Sequence, residues 1–331
     1  MKLEMEMREK NVTGFSKVKN LINSTESGIF GVLILMCLIL TIVTPSFADG
    51  YNLGVLVRQF SFVAILAMGQ TLVLLTRGID LSIGAIAGLT GILTAWLMVN
   101  TGINPFVCVV LGVIIGTLLG SINGILITKL NLNPFIVTLA MGEVFFGLIM
   151  VITQGWPIQG IPEKVLFLGQ GMIGSAPIPG VIMVILGIIL IYTLHSTPFG
   201  RHIYAIGGNE SAANLVGIRI DKTKIIIYAL SGGFAACAGI LMMLRLGAGQ
   251  PQIGEGWLMP AITAAIIGGT SLMGGQGKII GTVLGAALMG VLANAIVLLS
   301  VSAYWERVII GIVVLLAITF DRIRQGKNRV G

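Results

Sequence analysis

The stretch TPFGRHIYAIGGNESAANLVGIRIDKTK, residues 197–224, is the longest polar interruption in a chain that otherwise consists of successive apolar runs. Residues 209–215 within it predict a short helix, because a Gly-Gly pair precedes them. Gly217 follows them at a position where glycine commonly ends a helix. A helix of one to two turns is not stable alone in water. We therefore expect it to rest on a neighbouring surface, and a soluble partner protein is the candidate. The basic residues of the stretch 197–224 are Arg201, His202, Arg219, Lys222 and Lys224.

The composition predicts an all-α polytopic membrane protein. Hydrophobic residues make up 56% of the 331 residues and charged residues 10%, whereas a soluble domain carries about 25% charge. The mean hydropathy is +1.00. The 46 glycines, about twice the usual ~7%, suit close packing of helices in lipid. A chain of this length accommodates about ten spans of ~20 residues.

The apolar runs predict ten spans within a transmembrane domain at 28–320, flanked by polar tails at 1–27 and 321–331. The span at 257–273 is the one most open to interruption, because Gly268 and Gly269 fall within it. The predicted spans are 28–46, 52–75, 80–99, 104–127, 134–153, 179–195, 224–246, 257–273, 279–299 and 304–320.

The charges predict the orientation. Most of the 20 lysines and arginines fall on the cytoplasmic side if both termini lie inside, as the positive-inside rule requires. The loop at 196–223 is then cytoplasmic, and the proline-containing segment at 154–178 forms a structured external loop or surface helix. The net charge of +7 follows from this topology and does not indicate nucleic-acid binding. No metal site or cofactor is predicted, because the three cysteines lie in apolar runs without metal-ligand spacing.

Three stretches in order along the chain resemble the ribose-type permeases of ATP-binding-cassette (ABC) importers. They are the loop at 197–224, GQTLVLLTRGIDLSIGAIAG at 69–88 and PAITAAIIGGTSLMGGQGKIIGTVLGA at 260–286. The resemblance implies a type II ABC importer-like fold in the plasma membrane of a bacterium (the inner membrane if Gram-negative). It also implies ABC ATPase subunits, an external substrate-binding protein and a second permease copy or homologue as partners. The substrate it implies is a pentose, a hexose or a sugar-derived molecule.

The resemblance further implies that the short helix after Gly208 transmits movement of the ATPases. We expect Glu210, Ala213 and Leu215 to make the contact, with Glu210 or Asn209 providing its polar part. The chain itself is not predicted to be an enzyme, because no phosphate-binding loop is present: Leu272 stands where that motif needs glycine. The predicted coupling residues are Gly208, Asn209, Glu210, Ala212, Ala213, Leu215 and Gly217.

Seven polar side chains near or within the apolar runs are candidates for the translocation path or its gate. Arg77 and Asp80 form an i,i+3 pair that caps a turn in one interpretation, and in the other Asp80 and Ser82 lie near the path. The amides either bind neighbouring helices or offer hydrogen bonds to a sugar. Glu143 is an intramembrane carboxylate and keeps open the alternative of an ion-gradient-driven secondary carrier of a small polar solute. The seven are Gln70, Arg77, Asp80, Ser82, Asn123, Glu143 and Asn294.

Two residue types predict how helices pack and how the sugar is held. Glycines at i+4 spacing predict two close helix contacts, either static or sliding. The four tryptophans lie near predicted span ends and are interpreted as interfacial anchors. With few polar groups between them, this pattern predicts a weakly binding conduit whose selectivity resides in the external binding protein. The glycines are Gly112, Gly116, Gly120 and Gly124, and Gly277, Gly281 and Gly285; the tryptophans are Trp96, Trp156, Trp257 and Trp305.

Overall fold

The computed structural model describes residues 25–302 and, beyond them, residues 305, 308, 309, 311–313, 315, 316 and 319. The predicted C-terminal tail, most of the N-terminal tail and most of the last predicted span lie outside the described residues.

The described chain has an all-α polytopic fold with one small antiparallel ribbon. Eight helices are long and apolar enough to cross a membrane, and they are α1–α5, α7, α10 and α12 below. The elements in chain order are α1 (Thr25–Val43), a 3₁₀ turn (Pro45–Ala48), α2 (Gly50–Leu75), α3 (Ile83–Asn100), α4 (Pro105–Lys129), α5 (Pro134–Thr153), α6 (Glu163–Gln170), β1 (Met172–Ile173), β2 (Ala176–Pro177), α7 (Ile178–Ser196), α8 (Pro198–Gly208), α9 (Glu210–Leu215), α10 (Ile220–Leu246), α11 (Leu258–Ile267) and α12 (Ile279–Leu298).

Local sequence explains where α4 and α5 begin. Each starts with a proline in the first helical position, where a backbone N–H would have no partner within the helix, so that its absence costs nothing. Each is preceded by an asparagine whose side chain accepts a hydrogen bond from the backbone N–H two residues on. Asn104 accepts from Phe106 at 2.9 Å, and Asn133 accepts from Phe135 at 2.9 Å. The repeated Asn-Pro pair thus sets the start of both spans.

The core lies where α2, α3, α4 and α10 meet, and glycines allow α4 and α10 to approach closely. Gly116 lies against the side chain of Ala236, and a β-carbon at Gly120 would overlap the carbonyl group of Tyr228. The predicted stripe at 112–124 therefore lies in a tight contact of two helix backbones.

The second predicted glycine stripe is correct only in part. Gly281 and Gly285 pack against α11, at Gly268 and Ala264 respectively. Gly277 precedes the first residue of α12 and packs against Thr270. Its predicted place on the helix face is wrong, because the turn between α11 and α12 extends to Lys278.

The predicted continuous span at 257–273 is also wrong. Helix α11 has 10 residues and is about 15 Å long, half of a ~30 Å hydrocarbon layer. The chain still traverses the bundle, since the irregular segment 247–257 lies along α3 before α11 begins. Gly249 lies against Ala95 near the end of α3, whereas Gly254 lies against Gly84 at its start. We call residues 247–267 the broken crossing.

A second irregular segment, residues 76–82, separates α2 from α3. The chain turns back after Leu75, so that Asp80 lies beside Gln70 of α2. Helix α3 consequently begins at Ile83, later than the predicted residue 80.

The segment at 154–178 contains the predicted surface helix as α6, followed by the β1–β2 ribbon. Helix α6 packs on the last part of α10, where Gly169 contacts the backbone of Leu244 and Arg245. A backbone bridge between Ile158 and Gly249 joins this segment to the broken crossing.

Candidate functional site

Helix α9 is short, and hydrogen bonds satisfy both of its ends. The Asn209 side chain accepts from the N–H of Ala212 at 3.0 Å, as expected of an N-cap. At the other end the Ile218 N–H donates to the carbonyl of Ala213 at 3.1 Å, and Gly217 has a φ of 83°, a conformation that favours glycine. The Glu210 carboxylate pairs with Lys224 of α10 at 2.8 Å. The caps therefore stabilise the helix itself, and the ion pair holds it on the bundle.

Two large apolar side chains are exposed at the end of α9. Leu215 is 88% exposed and Val216 is 77% exposed, whereas Ala213 is 3% exposed. Leu215 and Val216 are therefore the large apolar side chains that a partner can reach here, beside the exposed Ser211, Ala212 and Asn214, whereas Ala213 faces the chain itself. The sequence analysis did not select Val216, although an apolar pair within a polar loop was the signal for it.

Arg77 connects the end of α2 to the end of α8, immediately before α9. Its Nε donates to the carbonyl of Gly207 at 2.8 Å and its Nη2 to the carbonyl of Gly208 at 2.6 Å. A cation is favoured at a helix C-terminus, and the guanidinium geometry suits two adjacent acceptors. Arg77 has a φ of 61°, which is uncommon for a residue other than glycine. We call this pair of bonds the Arg77 clamp.

The loop between α11 and α12 packs against the same place. The Gly275 N–H donates to the carbonyl of Leu75 at 2.9 Å, and Gly207 lies so close to that carbonyl that a β-carbon would overlap it. The Tyr204 hydroxyl donates to the carbonyl of Gly277 at 2.8 Å. Burial raises the pKa of Tyr204, so this phenol remains a donor. The ends of α2 and α8 and the loop between α11 and α12 thus meet beside α9.

A buried polar network lies farther inside, around Asp80. One carboxylate oxygen accepts from the Ser82 N–H at 3.0 Å and its hydroxyl at 2.7 Å, and the other accepts from the Ser231 hydroxyl at 3.1 Å. The Asn123 amide donates to the Ser82 hydroxyl at 2.8 Å. In the amide orientation that satisfies both of its polar atoms, Gln70 donates to the carbonyl of Asp80 at 3.1 Å and accepts from its N–H at 3.3 Å. This Asp80 network joins α2, α4 and α10 to the start of α3.

The predicted pairing of Arg77 with Asp80 is not formed. Arg77 is engaged by the carbonyls of α8, and Asp80 points into the bundle. Asp80 does lie at the start of α3, where a negative charge is favoured by the helix dipole.

Comparison with known proteins identifies the family. Residues 52–318 match the protein family described as "Branched-chain amino acid transport system / permease component". The chain belongs to this permease family. The permease is 43% identical over 297 residues to the ribose import permease protein RbsC of Bacillus subtilis (strain 168), which covers 89% of this chain and 92% of that protein.

Other relatives cover the permease to a similar extent. It is 36% identical to the D-allose transport system permease protein AlsC of Escherichia coli (strain K12), over 89% of this chain and 91% of that protein. It is 34% identical to the autoinducer 2 import system permease protein LsrC of Photorhabdus laumondii, over 88% of both chains. No solved structure matches the permease.

The remaining predicted path residues of the permease lie apart from the Asp80 network. Glu143 lies on the exposed face of α5. Asn294 of α12 exchanges two hydrogen bonds with Asn52 of α2, at 3.1 and 2.9 Å. The structure therefore brings four of the seven candidates together and leaves Arg77, Glu143 and Asn294 at separate places. A role in translocation stays a prediction for all seven.

Proposed function

We propose that the permease is the membrane-spanning subunit of an ABC importer that moves a sugar or sugar-derived solute into the cell. The observation that carries this proposal is the similarity, over about nine-tenths of the chain, to relatives named for the import of ribose, allose and autoinducer 2. The family description mentions branched-chain amino acids. The named relatives support a sugar more strongly, because they are individual proteins at 34–43% identity and none of these three is named for an amino acid.

Helix α9 is the proposed contact with the ATPase subunits. Leu215 and Val216 expose a small apolar surface on an otherwise polar loop, which suits insertion into an apolar groove of a partner. Glu210 and Asn209 hold the helix rather than offer free polar groups, since both already make hydrogen bonds within the chain. ATP hydrolysis then takes place on the partner subunits, and the permease is not itself an enzyme.

The Arg77 clamp is the proposed route by which movement of α9 reaches the interior. Displacement of α9 moves Gly207 and Gly208, and the Arg77 clamp transmits this displacement to residues 76–82 and the Asp80 network. The hydrogen bond between Gly275 and Leu75 transmits the same displacement to the loop that follows α11. Coupling between distant sites needs such a contiguous set of contacts with two arrangements. Alternating access then releases the sugar inward.

The remaining partners and the orientation complete the proposal. The importer lies in the plasma membrane of a bacterium, with both termini and α9 cytoplasmic. The segment at 154–178, with α6 and the ribbon, is external and offers a surface on which a sugar-binding protein docks. A second permease copy, or a homologue, completes the transmembrane unit.

The first test identifies what the permease binds. The tagged chain is extracted gently from its native membrane, and mass spectrometry should find a soluble subunit with a nucleotide-binding loop. Replacement of both Leu215 and Val216 by serine should remove most of that subunit. Leu132→Ser is the matched control, because Leu132 is also exposed, in the turn between α4 and α5.

Two outcomes would contradict the proposal. If the permease emerges alone and an ion gradient rather than ATP drives uptake into vesicles, it is a secondary carrier. If the ATPase co-purifies equally with the double variant, α9 is not its docking site.

A further inference from the structure

A cavity of about 540 Å³ lies between α2, α10, the broken crossing and α12. Its volume falls within the ~300–1,000 Å³ typical of small-molecule sites. None of the seven path residues predicted from the sequence lines it. The residues that the argument uses are Gln59, Phe62, Arg245, Glu255 and Trp257.

One wall of the cavity is aromatic. Trp257 and Phe62 stack with ring centroids 6.1 Å apart and planes inclined by 8°. Phe62 lies midway along α2, so Trp257 packs against a helix of the bundle, and its role as an interfacial anchor stays a prediction. The half-buried indole leaves part of its ring at the cavity. Such a surface suits the C–H face of a sugar ring.

The other groups at this wall carry both signs of charge. The guanidinium of Arg245 lies 5.7 Å from the centre of the Phe62 ring, and Glu255 lines the same cavity. Within the part of the chain that the structure describes, the two side chains form no ion pair with each other. Nor do they make a side-chain hydrogen bond to another described residue. They therefore supply donors and acceptors to an occupant that has both, such as a neutral polyhydroxylated molecule.

The cavity is built on the broken crossing. Glu255 and Trp257 lie where the irregular segment passes into α11, and irregular backbone within a membrane is tolerated only where it is buried in protein or lines a cavity. Interrupted helices of this kind form substrate sites in other transporters. Gly254 and Gly256 have φ values of 85° and 76°, which allow the chain to turn there. Exposed lining residues, among them Gln59 and Glu255, lie toward the end of α10 at which α6 packs.

The geometry points to this cavity as a sugar-binding subsite of the permease, in which Trp257 supports the ring and Arg245 and Glu255 bind its hydroxyl groups. This inference rests on the proposed function and goes beyond it, since it places sugar recognition within the permease as well as in an external binding protein. It differs from the expectation of a weakly binding conduit whose selectivity resides in the external binding protein.

The test uses Trp257 as its own reporter in the purified permease, titrated without its partner subunits so that the sugar site of the binding protein does not contribute. Trp96, Trp156 and Trp305 are replaced by phenylalanine, and retained ATP-driven uptake by the assembled importer in proteoliposomes verifies this background. The emission of Trp257 is then titrated with D-ribose, D-allose, D-fructose and L-leucine. We expect a saturable change with at least one sugar and none with L-leucine. Arg245→Gln and Glu255→Gln should each weaken that response by at least about tenfold, the effect of losing one good hydrogen bond.

Arg201→Gln is the matched control, because Arg201 lies exposed on α8, outside the cavity. It should leave the titration unchanged. Arg245→Gln should also lower sugar uptake per ATP hydrolysed in the chain that keeps all its tryptophans, while ATP hydrolysis itself continues.

The outcomes separate the two proposals. Suppose that the unmodified importer takes up sugar with ATP, but sugar does not change the Trp257 emission and Arg245→Gln does not change uptake. The proposed subsite is then wrong, and the proposed importer function still holds. A saturable response to L-leucine alone would assign the cavity to amino acids and overturn the sugar subsite. If no tested sugar is taken up with ATP, the proposed function fails, whatever the emission shows.

Discussion

Asp80 places a carboxylate in the interior of the bundle, where three donors from Ser82 and Ser231 surround it. Removing one partner of a buried hydrogen-bonded charge is costly, because the remaining groups lose their bonds without regaining water. The same segment carries the turn from α2 into α3. The carboxylate therefore fixes the backbone at the point where the two helices separate.

Asp80→Asn should destabilise the permease by about 1–3 kcal/mol, because an amide directs N–H groups at donors. Thermal unfolding of the purified protein, followed by fluorescence, measures this as a lower midpoint. Asp221→Asn is the matched control: its ion pair with Lys129 is about half exposed and contributes little. Equal midpoints for the two variants would show that the Asp80 network does not hold the segment.

Arg77 is a positioning residue whose test must separate coupling from folding. Arg77→Asn removes the Arg77 clamp, and asparagine tolerates the positive φ of this residue. We expect sugar uptake per ATP hydrolysed to fall about tenfold or more, while the amount of assembled importer stays unchanged. Arg77→Lys should give an uptake per ATP hydrolysed between those of the unmodified permease and Arg77→Asn. Lysine keeps the positive charge at the end of α8 but cannot donate to both carbonyls in the geometry of a guanidinium. Unchanged coupling in Arg77→Asn would remove the clamp from the mechanism.

At the scale of the elements, the contact between α4 and α10 depends on the absence of side chains. Gly120→Ala should cost about 1–3 kcal/mol, because the new methyl group overlaps the carbonyl of Tyr228 and forces the helices apart. Gly147→Ala on α5 meets no atom within 4 Å and should be neutral or slightly stabilising, as expected of alanine in a helix. Thermal midpoints of the two variants provide the comparison. A tolerated Gly120→Ala would mean that the two helices slide apart readily.

The broken crossing shows how one element acquires a second role. A continuous helix there would satisfy its own backbone and fill the space now occupied by the cavity. Because α11 begins only at Leu258, the irregular segment before it contacts α3 and brings Glu255 and Trp257 to the cavity. Loss of helical hydrogen bonds within the membrane is acceptable here because the segment packs on α3 and lines a cavity.

At the scale of the whole molecule, orientation is the property that positions every proposed contact. The two ends of α10 lie on opposite faces, because its 27 residues extend about 40 Å. Lys222 lies near its first residue, and Lys164 lies on α6, which packs at its last turns.

Cysteine labelling tests this orientation in a background without Cys37, Cys108 and Cys237. An impermeant maleimide should label Lys164→Cys in right-side-out vesicles and should label Lys222→Cys only after the membrane is opened. Each variant is the control for the other. The reverse pattern would place α9 outside and exclude its contact with a cytoplasmic ATPase.

Local patterns were sufficient for the helices and for part of the candidate site. Apolar runs of about 20 residues predicted eight spans that the structure confirms, because length and hydropathy decide which segments enter lipid. The end of α9 was also readable, since Gly217 acts on neighbouring backbone groups, whereas Asn209, predicted as the first helical residue, is the N-cap.

Only the tertiary structure decided which distant groups meet. Arg77 finds its acceptors at Gly207 and Gly208, and Asp80 finds Ser231, although no local period relates these positions. Whether glycines interrupt a span depends on what packs beside them, so α11 was predicted as a full span and the cavity at Trp257 was missed. Residue sequence and hydropathy determined that this chain is a bundle of membrane helices, because those are local properties. Packing between helices determined the clamp, the network and the cavity, because each is made by residues that are far apart in the chain.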